Sequence, residues 1–231
     1  MKQEFTSRLT RGERIAALVY FPLHILALPY VLNLVFLLLH RWSDDSLLNL
    51  VYYVIGALYM LLFLGRFLRR DFDTLCDGFF NCLIQVCVCY GLMLLMNIAV
   101  NSLLSLAFPV ENPNNEAIVD MMGRDLGKIA AAAVFLAPIV EELLFRAGIF
   151  SLIRNRTAAY AVSILLFSVY HIWGYALSDW HLWIYMVQYF PAAYLLCRCY
   201  ERTNTIWGSI FLHMTINGMS MWALTILDGM V

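Results

Sequence analysis

The chain has 231 residues, of which 62% are hydrophobic and 13% charged, and its formal net charge is −1. A mean hydropathy of +0.74 excludes an ordinary soluble domain and points to an all-α, polytopic integral membrane protein of the cell membrane. There is no Gly-rich phosphate loop and no basic stripe interleaved with aromatic residues, so nucleic acid is not an expected partner, whereas membrane lipid is. Seven apolar segments follow one another, at about residues 15–39, 47–64, 79–108, 128–150, 158–177, 182–199 and 205–227. The basic N-terminus leads into about 25 apolar residues, a length that spans a bilayer rather than one removed as a signal peptide. The third segment is too long for one straight crossing and is expected to tilt or to end near Asn101. Pro109 to Lys128 reads as a polar loop.

The basic residues orient these segments. Lys2, Arg8, Arg11, Arg14, Arg66, Arg69, Arg70, Arg154, Arg156, Arg198 and Arg202 fall on one side, and only Arg41, Arg124 and Lys128 on the other. The side richer in Lys and Arg faces the cytoplasm, so the N-terminus is expected there. His24, Asn33, Gln85, Asn97 and Asn101 read as hydrogen-bonding groups between helices. His40 and His181, beside Trp42 and Trp180, read as interfacial. The cysteines form no Cys-x-x-Cys pair and read as reduced packing residues; Cys197 and Cys199, near a helix end, are acylation candidates.

Against this background residues 137–150, APIVEELLFRAGIF, stand out. Ionisable groups at bilayer depth cost several kcal/mol, so Glu141, Glu142 and Arg146 mark a functional-site hypothesis. On a helix Glu142 and Arg146 are i, i+4 neighbours, while Glu141 is turned about 100° away and needs a partner from another helix. Pro138 carries no amide hydrogen and is expected to loosen the helix just before them. Two later segments hold similar i, i+4 pairs, Phe167 with His171 and His213 with Asn217. Counted from the nearest cytoplasmic boundary, Glu141, His171 and His213 lie at a common depth of roughly 15–21 Å. Such groups serve either as polar clamps between helices or as one chemical site.

Glu-Glu-x-x-x-Arg, Phe-x-x-x-His and His-x-x-x-Asn, in that order on separate helices, resemble the motifs of the CAAX protease and bacteriocin-processing enzymes, the ABI family of intramembrane endopeptidases. The resemblance covers about residues 128–222. It implies a division into N-terminal helices and an outer loop without family motif (1–127) and a catalytic membrane core (128–231). It further implies hydrolysis of a peptide bond in a membrane-associated peptide or protein, lipidated ones included, with no cofactor. Glu141 and His171 would activate water, and His213 and Asn217 would donate to the oxyanion. Arg146 would hold Glu142, and Phe167 would pack beside the site. A carboxylate in an apolar site and pre-oriented donors in a dry cavity suit this chemistry.

Two other readings use the same residues. Glu141, His171 and His213 form an acceptable zinc ligand set with an open fourth position, although the helical His-Glu-x-x-His motif is absent. A non-catalytic proton or ion carrier, or an immunity protein, could also use intramembrane Glu, His and Arg. Ser209, four residues before His213, is weak evidence for a serine nucleophile, since no Gly-x-Ser-x-Gly elbow is present.

Overall fold

The computed structural model describes residues 5–40, 44–108 and 112–227. Lys2, Arg41, Trp42 and Pro109 lie outside them. The described residues form helices and no strand. We label the helices α1 (Arg11–Leu38), α2 (Asp45–Asp77), α3 (Phe79–Ala107), α4 (113–150), α5 (Arg156–Ala176), α6 (Phe190–Thr203) and α7 (Ile206–Leu227). A 3₁₀ segment, Trp180–Tyr189, leads into α6, so the first half of the expected sixth span is not α-helical. By length and composition α1, α2, α3 and α5 are each long and apolar enough to cross a membrane.

Local chemistry explains the helix starts. Thr10 and Glu13 form a reciprocal capping box at α1, and the Asp44 side chain accepts from the Leu47 amide at α2. The stretch expected as a loop is the beginning of α4 instead. Asn112 caps it by accepting from the Asn114 amide, and Pro113 follows in the first turn, where its missing N–H costs nothing. A kink at Asp125, with φ −156° and ψ 86°, separates this amphipathic part from the deeper one. α3 runs unbroken to Ala107, without an interruption at Asn101.

The apolar side chains sort into two populations. Leu62 (77% exposed), Phe80 (78%) and Leu106 (84%) point outward, as a lipid-facing surface allows. Inside, residues 140–148 of α4 are all buried, so this helix is the axis that the others surround. Its neighbours include Phe67 and Leu64 of α2, Phe167 of α5 and Leu212 of α7, none more than 2% exposed. Gly56 of α2 permits a close approach: a Cβ there would stand 3.0 Å from Val140 Cγ2 and 3.3 Å from His24 Cε1.

The segments expected to share one membrane side meet at one end of the bundle. Arg8 pairs with Asp71 at 2.8 Å, and Arg70 with Glu13 at 2.7 Å. Asp71 also accepts from the Ile206 amide at 2.5 Å and from the Thr205 hydroxyl at 2.9 Å, which caps α7. Arg156 pairs with Glu201 at 2.9 Å. At the opposite end Arg124 reaches Asp45 and Asp120, and Lys128 reaches Asp125.

Other expectations divide. Asn101 does bond across helices, accepting from Gln188 at 3.1 Å. Asn33, which faces outward, and Asn97, which is half-buried, instead bond within their own helices, to the Pro29 carbonyl and to Met93 Sδ of the preceding turn. The His181 ring lies against Trp180 in a tilted arrangement, centroids 3.9 Å apart. Cys197 and Cys199 are fully buried, which withdraws both from acylation. Both pack in the core, where the Cys197 thiol donates to the Ser163 hydroxyl at 3.4 Å.

Candidate active site

The described residues hold three π-helical segments, Leu23–Ala27, Ala131–Leu136 and Leu143–Phe150; the last carries Arg146, and the first two each lead into a proline. In α4 the Ala137 amide donates five residues back to the Ala132 carbonyl, so the next amide in that register belongs to Pro138 and has no hydrogen. The Ala133 carbonyl is thereby left without a backbone donor. Asn217 Nδ2 of α7 donates to it at 2.8 Å. In α1 the Leu28 amide reaches Leu23, Pro29 then skips the His24 carbonyl, and the Tyr52 hydroxyl of α2 donates to it at 3.0 Å. A freed carbonyl inside a membrane bundle needs such a partner.

The α4 bend delivers the two glutamates to different neighbours. Glu142 is enclosed completely. Its Oε1 accepts from Arg146 Nη1 at 3.0 Å and from His213 Nδ1 at 2.8 Å, and its Oε2 accepts from the Ser209 hydroxyl. Arg146, equally enclosed, also donates to the Ala193 carbonyl at 3.3 Å and lies 4.3 Å over the Phe167 ring. Two further donors, His213 and Ser209, and one aromatic face thus surround a charge pair with no solvent exposure. The i, i+4 spacing foresaw the Arg146 contact, but His213 and Ser209 join it from α7.

Glu141 faces the other way. Its Oε1 accepts from the Tyr53 hydroxyl at 2.8 Å. Its Oε2 is buried without a protein hydrogen-bond partner and lies 3.8 Å from His171 Nε2 and 3.9 Å from His213 Nε2. These separations exceed a direct hydrogen bond, so the carboxylate oxygen and the two imidazole nitrogens face one another unbonded. Both rings are oriented from behind, His171 Nδ1 by the Phe167 carbonyl at 2.8 Å and His213 Nδ1 by Glu142. A ring that donates through Nδ1 presents Nε2 as an acceptor in its neutral form. His171 is further fixed by stacking on Tyr189 at 4.5 Å.

Of the residues singled out in the sequence, Glu141, His171 and His213 converge, and Glu142, Arg146 and Phe167 stand directly behind them. Asn217 lies one turn further along α7, with one of its two N–H groups spent on Ala133. Sequence reasoning did not find Tyr53 or Tyr170, which touches Tyr53 at 3.1 Å. The available signal was a Tyr-Tyr pair inside an apolar span, which reads equally well as interfacial. The Ser209 hydroxyl is committed to Glu142 and the Leu196 carbonyl, and so is not poised as a nucleophile. Among the described residues no group of three or more His, Cys, Asp or Glu side chains is arranged to hold a metal ion.

Comparison with known proteins gives this arrangement a family context. Residues 126–219 match the family model described as type II CAAX prenyl endopeptidase Rce1-like. The matched span contains all three motifs and agrees with the resemblance they carry. The chain is 36% identical over 95 residues to UPF0177 protein YajF of Lactococcus lactis subsp. lactis (strain IL1403), covering 40% of this chain and 43% of that protein. It is 31% identical over 111 residues to the Bacillus subtilis (strain 168) protein named "Putative membrane peptidase YdiL", covering 46% of this chain and 41% of the relative. The matched region spans less than half the length of each relative. No solved structure matches the chain. With this family context and four membrane-length helices, the chain is an integral membrane protein.

Proposed function

We propose that the chain is an intramembrane endopeptidase, with Glu141, His171, His213 and Asn217 as its catalytic residues. The observation that carries this reading is the Glu141 Oε2 atom, buried, unpartnered and within 3.9 Å of two oriented imidazole nitrogens. A water molecule in contact with both Oε2 and His171 Nε2 would lose a proton to the carboxylate as its oxygen attacks the scissile carbonyl carbon. The tetrahedral oxyanion would be met by His213 and by the second N–H of Asn217. In that step His213 would carry protons on both ring nitrogens, Nδ1 donating to Glu142 and Nε2 to the oxyanion. The proton held by Glu141 then passes to the amine nitrogen as the C–N bond breaks. Glu142, Arg146 and Phe167 hold His213 in place. The substrate is a membrane-associated peptide or protein, lipidated tails included.

Glu141→Gln should abolish cleavage while keeping the fold. Membranes carrying wild type or Glu141→Gln would be compared by proteomics of protein termini. New termini confined to wild type are expected, and identical termini in both would overturn the reading.

Zinc is a second reading, favoured by the Nε2 lone pairs of His171 and His213 facing Glu141 Oε2. Two ligands of a tetrahedral zinc stand about 3.3 Å apart, so small side-chain shifts would bring this trio into range. Exhaustive chelation should leave cleavage intact; loss with chelator and recovery with zinc would establish the metal.

The same proposal sets seven crossings with a cytoplasmic N-terminus. In a variant lacking the native cysteines, a cysteine at Asn155 should react with thiol reagents only from the cytoplasmic side. One at Asn114 should react only from outside. The reverse pattern would invert the orientation.

A further inference from the structure

We propose that Tyr53, from the half of the chain that carries no family motif, is a positioning residue for Glu141; the inference rests on the peptidase reading above. Tyr53 donates to Oε1 at 2.8 Å. This contact is the protein hydrogen bond that fixes the Glu141 carboxylate, because Oε2 has none. It decides which oxygen faces the imidazoles. With Oε1 tied toward α2, Oε2 is turned to His171 and His213. Without the tie the carboxylate is free to rotate about its terminal bond, and either oxygen can swing out of the gap.

Behind Tyr53 stand two more hydroxyls, and a count of protons ranks them. Tyr53, Tyr170 and Tyr52 make four contacts in a row: Glu141 Oε1 to Tyr53 at 2.8 Å, Tyr53 to Tyr170 at 3.1 Å, Tyr170 to Tyr52 at 3.3 Å, and Tyr52 to the His24 carbonyl at 3.0 Å. Three hydroxyls supply three protons. When Glu141 is ionised and the His24 carbonyl must be satisfied, the two end protons are committed outward. Tyr170 can then donate to only one neighbour. The shorter contact selects Tyr53, and the longest, at 3.3 Å, is left without a proton. The row therefore divides in function. Tyr170 supports Tyr53 as donor to the site, whereas Tyr52 serves the α1 bend.

The division predicts a graded series. On an internally quenched, farnesylated peptide ending in Cys-aliphatic-aliphatic-X, Tyr53→Phe should lower kcat about 10- to 100-fold, the range of one hydrogen bond to a charged group, with KM within about twofold. Tyr170→Phe should cost about three- to tenfold, as a neutral hydrogen bond one step removed. Tyr52→Phe should stay within about twofold of wild type, since its proton points elsewhere. In parallel, a thermal-stability cycle in detergent would combine Tyr53→Phe with Glu141→Ala; non-additive losses are expected, because each change removes the same bond. Turnover by Tyr53→Phe within twofold of wild type, a loss confined to KM, or a Tyr52→Phe loss equal to that of Tyr53→Phe would overturn the assignment. So would additive stability losses. If wild type leaves this peptide intact, the peptidase reading fails for that substrate, and the stability cycle alone decides whether Tyr53 holds Glu141.

Discussion

The bends at Pro29 and Pro138 are built alike and used differently. Each has a π turn, a proline that skips one carbonyl, and a side chain from another helix that donates to that carbonyl: Tyr52 to His24, and Asn217 to Ala133. Beyond the first bend the helix carries no charged side chain; Leu34 and Leu37 face outward, and Leu32 and Phe36 pack inward. Beyond the second stand Glu141, Glu142 and Arg146, all buried. The lesson is that the bend itself is a structural device. It becomes a site where charges are mounted just after it and other helices bring imidazoles to meet them. Gly56 lets α2 pass between the two bends, touching Val140 near one and His24 near the other.

The largest expected effect comes from removing what the second bend has and the first lacks. Glu142→Ala would leave Arg146 enclosed without its counter-ion and His213 without its acceptor. We expect a loss of about 3–5 kcal/mol, as for one half of a buried ion pair, together with loss of turnover. Adding Arg146→Leu should recover part of the stability and none of the turnover. Equal stability for wild type and Glu142→Ala in thermal unfolding would show that the cluster does not set the two bends apart.

A smaller effect tests whether Asn217 is a clamp as well as a catalytic donor. Asn217→Ala should cost about 1–3 kcal/mol, the penalty for an unsatisfied buried carbonyl. Pro138→Ala supplies the missing amide hydrogen, and in the Asn217→Ala background it should return part of that stability without restoring cleavage. Stability losses that simply add would mean that Asn217 does not substitute for the proline's absent donor.

The smallest effect belongs to the first bend. Tyr52→Phe removes the donor to His24 but keeps the ring stacked on the His24 imidazole at 4.3 Å. The expected loss is about 1 kcal/mol. Pro29→Ala should offset it in the same way. A loss as large as that of Asn217→Ala would make the two bends energetically equivalent and remove the distinction drawn between them.

The sequence by itself determined what depends on one helix at a time. Composition required helices in a membrane, and the i, i+4 spacing of Glu142 and Arg146 placed them in contact. The same geometry turned Glu141 away, and a count of residues put Glu141, His171 and His213 at one depth. All of this follows from the fixed rise and rotation of a helix. Local polarity misread the connection before Lys128, because a capped amphipathic turn and a loop share the same composition there. Only the tertiary structure decided who meets Glu141, and that His213 and Ser209 share Glu142 with Arg146. It also decided that Asn217 answers the proline in α4. Those facts depend on how far one helix slides and rotates against another. That register is set by close packing at residues such as Gly56 and Val140, and periodicity along a single helix carries no information about it.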